Sequence, residues 1–393
     1  MAADNPFVYG EIVAAGAFAD RDEDYHRLTT DLRAGQKVFL ISPRRYGKSS
    51  LIRRTLDALA RERVLTASVT VAGSSSYVGF LEAYAQALLA VDTPVGRFRR
   101  WAAELMRTAR PEVTIDASGP GTAAVALSFP AVRSHRDVER LAAEVFALPG
   151  RIAAARKRPM AIALDEFQAI AAFDSAGASA SKGNGGSVEE ALRAAVQQQR
   201  DVGYVFAGSE PSLMERMISS RRPFYKAGPV MRLQKINADE FADWLEARFT
   251  KTGLRAEAGL GAALVDLADN VPYDVQRLAH ETWDDVRAAG RKTVGLDDLH
   301  TTLTRMMRQQ GTVFEEQWQR LTLAQRGVLR ALVLEQGQEL LSADVRERHR
   351  LAGASSVQSS IAALVREDII MRDGSRYMLT DSLYREWIAR RTF

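Results

Sequence analysis

The sequence predicts an α/β chain in three parts: a phosphate-loop αβα core on a five-stranded parallel sheet, a helical lid and a C-terminal winged helix-turn-helix. Three observations predict it. Short β-prone apolar runs alternate with helical stretches as far as about residue 236. Helical periodicity alone follows, and the end of the chain reads helix, helix, helix, hairpin. The alternation calls for crossover helices on a parallel sheet, and the final order is that of a winged helix. The boundaries that follow are 1–236 for the core, 237–311 for the lid and 312–393 for the winged helix.

Lys37–Ile41 is the first apolar run, and a helix is expected from Lys48 to about Ala60. Val64–Val71 is the second strand, followed by a helix over Tyr77–Leu89; Pro159–Leu164, Tyr204–Ala207 and Val230–Ile236 supply the other three. Two insertions interrupt this scheme. Residues 113–129 pair two β-prone runs across a Gly-Pro-Gly turn, which predicts a hairpin. Residues 174–187 hold almost no large apolar side chain and read as a mobile loop. In the lid, helices are expected over Ala238–Thr250, Gly259–Ala268, Val275–Ala288 and Leu296–Arg308. The winged helix comprises Leu321–Val333, two short helices within 341–351 and 355–368, and a hairpin turning at Asp373-Gly374.

Composition narrows the function classes. The chain has 393 residues, 46% apolar and 26% charged, as in ordinary globular proteins. No apolar run approaches the roughly 18 residues of a spanning helix, and the acidic start lacks the pattern of a signal peptide, so the expected setting is cytoplasmic, away from membranes. The absence of cysteine excludes disulfides, thiolate zinc sites and cysteine nucleophiles. The five histidines, His26, His135, His280, His300 and His349, have no ligand-like spacing. A net charge of +4 permits an acidic partner without requiring one.

The chemistry is concentrated in "SPRRYGKSS", Ser42 to Ser50. A strand, a loop and a helix opening on Lys-Ser form the context of a phosphate loop, although Ser42 stands where its first glycine is usual. Ser42, Pro43, Arg44, Arg45, Tyr46, Gly47 and Ser50 would form the cradle for the phosphates of ATP. Lys48 would reach the β and γ phosphates, and the Ser49 hydroxyl would serve Mg²⁺. Asp165 and Glu166 follow an apolar strand, Asp165 suited to the Mg²⁺ shell and Glu166 to orienting or deprotonating a water. Ser209, at the tip of the next strand, would contact the γ-phosphate or the water; the other reading is that Gly208-Ser209 only turns the chain and caps a helix. Arg216, Arg221 and Arg222 precede the last strand, and one of them, Arg222 being the choice, would act on a neighbouring subunit's nucleotide.

With "NPFVYGEIV", "FADRDEDYHRL", "LISPRRYGKSSL", "IALDEF", "VFAGS" and "NVPYDVQRLAH" in order, the sequence resembles the archaeal-type ATPases, a branch of the STAND and AAA-like P-loop ATPases. The resemblance implies Lys48 and Ser49 in the first nucleotide motif, Asp165 and Glu166 in the second, and Ser209 as a sensor. It places Phe18 and Arg21 on the adenine side, and Pro272, with Arg277 nearby, in a lid motif facing the base. Asn270 stands where that motif commonly has glycine.

A winged helix suggests double-stranded DNA, but from Val313 onward twelve arginines face eleven acids, a net of +1. Strong duplex binders carry a clear basic excess. Arg372 and Arg376 on the wing would meet phosphates, while the expected recognition helix offers Ser and Gln and ends acidic. Two functions remain open. One is a Mg-ATP-hydrolysing switch whose nucleotide state positions the winged helix for DNA binding or regulation, forming a homo-oligomer with ATP. The other is a nucleotide-gated scaffold with little turnover that recruits a protein partner. A phosphotransferase is disfavoured because no acceptor site is legible.

Overall fold

The computed structural model describes residues 4–11, 19, 21–91, 111–116, 124–130, 132, 134–173 and 187–392. Phe18, the turn of the 113–129 hairpin and the 174–187 segment up to residue 186 lie outside them. The chain divides into two compact units: Arg21–Gln234, and a second in which Met1–Asp20 joins Lys235–Phe393.

In the first unit, β1 (Lys37–Ile41) and β2 (Leu65–Thr70) are followed by β3 (Glu112–Asp116) and β4 (Ala124–Ser128), which pair antiparallel as the expected hairpin. β5 (Met160–Asp165), β6 (Val202–Gly208) and β7 (Val230–Arg232) complete a parallel five-stranded sheet of order β2-β5-β6-β1-β7. β5 and β6 read as solid apolar runs because side chains on both faces of a covered parallel sheet are buried. Phe206 anchors this core among Phe39, Phe167, Tyr204 and Phe224. β7 stops earlier than the expected Ile236, at Arg232, although the Leu233 amide still bonds the Ile41 carbonyl. Lys235 already belongs to the second unit, and Asn237 caps its first helix.

One helix of the core defies its punctuation. His135–Arg156 continues through Leu148-Pro149-Gly150, whose interior proline removes a backbone donor and normally breaks a helix. Leu141, Val145, Phe146, Leu148 and Ile152 bury one face of it, and that packing keeps the helix whole. Helix Val188–Gln198 starts on a capping box of Ser187 and Glu190.

In the second unit the helices are Ala238–Lys251, Leu260–Leu267, Pro272–Ala288 and Leu296–Arg320, with a parallel pair of two-residue strands, β8 (Arg255–Ala256) and β9 (Thr293–Val294). The strands therefore do not all stop at 236. Leu296–Arg320 also corrects the expected end at Arg308. A single glycine, Gly311, costs a helix only about 1 kcal/mol, while Leu299, Leu303, Met307, Phe314 and Trp318 carry one buried stripe past it. Helices Leu323–Leu334, Ala343–Arg348 and Ala354–Arg366 precede the wing, β10 (Ile370–Asp373) with β11 (Arg376–Leu379). A further helix, Ser382–Thr392, follows the wing.

The N-terminal segment packs within this second unit. Phe7 is buried against Phe249 at 4.6 Å, and the Tyr9 hydroxyl donates to Glu281. The unit also holds a charged cluster around the turn before Pro272. Asp269 and Asn270 both take left-handed backbone, at φ 51° and 52°. Asparagine enters that region more readily than most residues with a side chain, which explains how it stands at a position where the family motif commonly has glycine. The Asn270 amide donates to the Ile236 carbonyl. Asp269 pairs with Arg385, Lys235 donates to the Asp269 carbonyl and pairs with Asp373, and buried Asp274 accepts from the Ser382 amide.

Candidate nucleotide-binding site

The sheet order sets the site. β6 lies between β1 and β5, so the ends of three neighbouring strands present the phosphate loop, Ser209 and the two acids together. Ligands of open parallel sheets bind at this carboxyl edge. Ser42 is fully buried, its amide donates to the Gly208 carbonyl at 3.2 Å, and its φ is not positive. Ordinary backbone at this position accommodates a Cβ, so serine replaces the usual glycine without strain. Gly47 is different: at φ 85° it occupies left-handed backbone that favours glycine. It enters helix Lys48–Arg61, which has no side-chain cap and no acid in its first turn. The N-terminal turn of such a helix is where an anion would be held.

Across the site, Lys48 Nζ lies 2.5 Å from Asp165 Oδ1 and 3.0 Å from Glu166 Oε1. Ser49 Oγ donates to Asp165 Oδ2 at 3.0 Å, and Ser209 Oγ to Glu166 Oε2 at 2.6 Å. Gln168 Nε2 meets the same Oε2 at 2.6 Å. Burial raises the affinity of Glu166 for a proton, but the Ser209 hydrogen bond, the Lys48 charge and the Gln168 hydrogen bond outweigh it and hold the carboxyl below its usual range. Glu166 is thus an anion at neutral pH. The paired oxygens of Ser49 and Asp165 suit a hard divalent cation that keeps most of its own water. These two residues would hold Mg²⁺, which would neutralise phosphate charge.

The remaining residues fall in separate places. Arg21 is buried, and its guanidinium donates to the Tyr46 carbonyl at 3.0 Å, bracing the phosphate loop from behind. Arg44 and Arg45 are exposed on the loop and Ser49 in the first turn of the helix, whereas Tyr46, Lys48 and Ser50 are buried and Pro43 is half-buried. Arg222 is engaged inside its own unit, 2.5 Å from the buried Glu189. Arg216 and Arg221 are exposed. Pro272 opens helix Pro272–Ala288 in the other unit, where Arg277 is half-buried. Ser209 faces Glu166, as neither the cap nor the phosphate contact required. Gln168 is the residue that motif reading passes over, because glutamine two positions after an acid pair carries no signal of its own.

A P-loop NTPase fold with a C-terminal winged helix is what this sheet order and site define, and comparison with known proteins agrees. Residues 312–390 match the family model described as "Probable winged helix domain". The chain is similar in structure to a Walker-type ATPase of Pyrococcus abyssi, with TM-score 0.59, 16% identity, and coverage of 95% of this chain and 97% of that one. It is also similar to the Aeropyrum pernix ORC2 protein in ADPNP–ADP complexes, with TM-score 0.53, 12% identity, and coverage of 99% and 96%. At these identities the likeness shows the fold, which is the fold of the archaeal-type ATPases expected from the motifs. No curated protein matches the chain. Among the described residues, no helix is long and apolar enough to cross a membrane.

Proposed function

We propose that the chain is an ATP-binding and ATP-hydrolysing switch whose nucleotide state governs the output of its winged helix. The observation that carries this reading is the convergence of Lys48, Asp165, Glu166 and Ser209 within hydrogen-bond reach at the carboxyl edge of the sheet. On ATP binding, Lys48 would turn from the two acids to the phosphates, and Glu166 would orient the attacking water. The three-part division at 236 and 311, with 237–311 as the lid, belongs to this reading, as does an oligomer forming in the ATP state. Arg222 acts in trans only if it leaves Glu189. Double-stranded DNA is the partner the winged helix suggests.

A second reading, recruitment of a protein partner with little turnover, is favoured by one observation. Arg376 is paired with Asp373, Arg372 donates to the Gly374 carbonyl, and the exposed face of helix Ala354–Arg366 presents Ser355, Gln358, Ser359, Ala362 and Val365 ahead of a lone Arg366. Such a face has little to offer phosphates. Steady-state ATP turnover with and without duplex DNA, against Glu166→Gln as the blank, separates the two. Turnover that rises with DNA supports the switch; turnover absent or indifferent to DNA supports the scaffold.

A further inference from the structure

The turn that carries Glu166 is built for more than presenting one carboxylate. Glu166 takes left-handed backbone, φ 51° and ψ 42°, which strains a residue with a side chain and persists only where its surroundings enforce it. They do so from both sides. The Glu166 amide donates to Asp165 Oδ1 at 2.9 Å, and Phe167 is driven into the core at 4.6 Å from Phe206. The short 3₁₀ turn Phe167–Ile170 then brings Gln168 back towards Glu166.

Gln168 is 8% exposed, and its amide nitrogen lies 2.6 Å from Glu166 Oε2. Only the nitrogen can face a carboxylate, so Oε1 points the other way, where it is buried with no hydrogen-bond partner among the described residues. Leaving that oxygen unpaired is unfavourable, and the contact that holds the side chain in this orientation is the one to Glu166. The surroundings are tight: a Cβ on Gly208 would sit 2.4 and 2.5 Å from Met214 Cγ and Sδ and 2.6 Å from Gln168 Oε1.

We infer that Gln168 is a positioning residue: with Ser209 it clamps Oε2 of Glu166, so that Oε1, released when Lys48 turns to the phosphates, is the oxygen that takes the attacking water. The inference rests on the hydrolytic reading above. It distinguishes the two carboxylate oxygens by their present partners, since Oε2 accepts from Ser209 and Gln168 while Oε1, among the described residues, accepts from Lys48. No proton moves to or from Gln168 in this scheme; its amide only holds the carboxylate plane.

The test compares the full-length parent with Gln168→Met, which keeps the volume and removes both polar atoms. We expect kcat to fall about 10- to 100-fold, as a slightly misplaced catalytic group does, with KM for Mg-ATP, the affinity for a fluorescent ATP analogue and Tm little changed. In the Glu166→Gln background the same substitution should cost nothing further. A kcat within twofold of the parent, or a fall in affinity and Tm alongside kcat, would overturn the proposal in favour of plain packing. The ¹³Cδ resonance of Glu166, assigned by its loss in Glu166→Gln, supplies a readout independent of turnover. It should move in Gln168→Met. If the parent shows no turnover, the hydrolytic function fails by itself, and an unmoved resonance would separately sink the clamp.

Discussion

Each unit holds a partly buried carboxylate paired with a cation, and the two carboxylates shift in opposite directions. In the first unit, Glu166 receives hydrogen bonds from Ser209, Gln168 and Lys48, and these outweigh burial. In the second, burial of Asp269 prevails over Arg385, Lys235 and Arg376, and the carboxyl is held above its usual range. The difference lies in the balance between burial and hydrogen bonding. Glu166 accepts from three side chains, which together outweigh its desolvation, whereas Asp269 accepts from the Arg385 side chain but is the more deeply buried carboxyl, and its desolvation prevails. A cluster arranged in the first way keeps a ready anion for chemistry; one arranged in the second way ties the Asp269 turn to the wing and to the last helix.

The sharpest way to break the comparison is Lys48→Ala. It removes the cation shared by Asp165 and Glu166 and the group that would meet the phosphates, so nucleotide binding should weaken at least about a hundredfold, or about 2.7 kcal/mol. Titration with a fluorescent ATP analogue measures it, and parent-like affinity would mean that the site is misassigned. Next in size is Arg385→Ala, which strips Asp269 of its ion-pair partner. Both side chains are about a quarter exposed, at 25% and 22%, so the loss should be nearer 1–2 kcal/mol than the figure for a fully buried pair. Arg33→Ala, which breaks an exposed pair with Glu62 in the other unit, should cost at most about 0.5 kcal/mol, both variants being measured by urea unfolding. Equal losses would mean that the Asp269 cluster stabilises nothing.

The smallest effect is the most specific, because the two acids should respond to pH with opposite sign. Asp269 binds its proton more tightly folded than unfolded, so its contribution to stability is fullest below the ordinary aspartate value and is lost as pH rises to the folded one. Glu166 contributes fully above the ordinary glutamate value and loses that contribution as pH falls through its lowered one. In thermal melts from about pH 3 to 7, the parent should therefore lose ground to Asp269→Asn and gain on Glu166→Gln as pH rises. Parallel curves would sink the comparison.

Much of the site was legible in advance for a local reason. Loop, helix and strand ends are contiguous in sequence, so Ser42–Ser50, Asp165 and Glu166 could be read from spacing and from the strands that precede them. The partners of those residues were not legible. Gln168 follows the acids without a motif, and Arg222 looked available to a neighbour until Glu189 was found against it. The helix Ser382–Thr392 was also unforeseen, because its apolar residues, Leu383, Tyr384, Trp387 and Ile388, make sense only against Phe314 and Trp318 on another helix.

By itself, then, the sequence determined the parallel sheet, the phosphate loop with its acid pair, and a winged helix at the end, because apolar period and turn chemistry act over a few residues and leave their pattern in order along the chain. The tertiary structure alone decided that Ser209 and Gln168 share one oxygen of Glu166, and that the first twenty residues belong with the C-terminal unit. It also decided that the Leu296 helix runs through Gly311 to Arg320. These are settled by which surfaces bury one another across long separations, and side chains far apart in the chain show their partnership only once packing has brought them together.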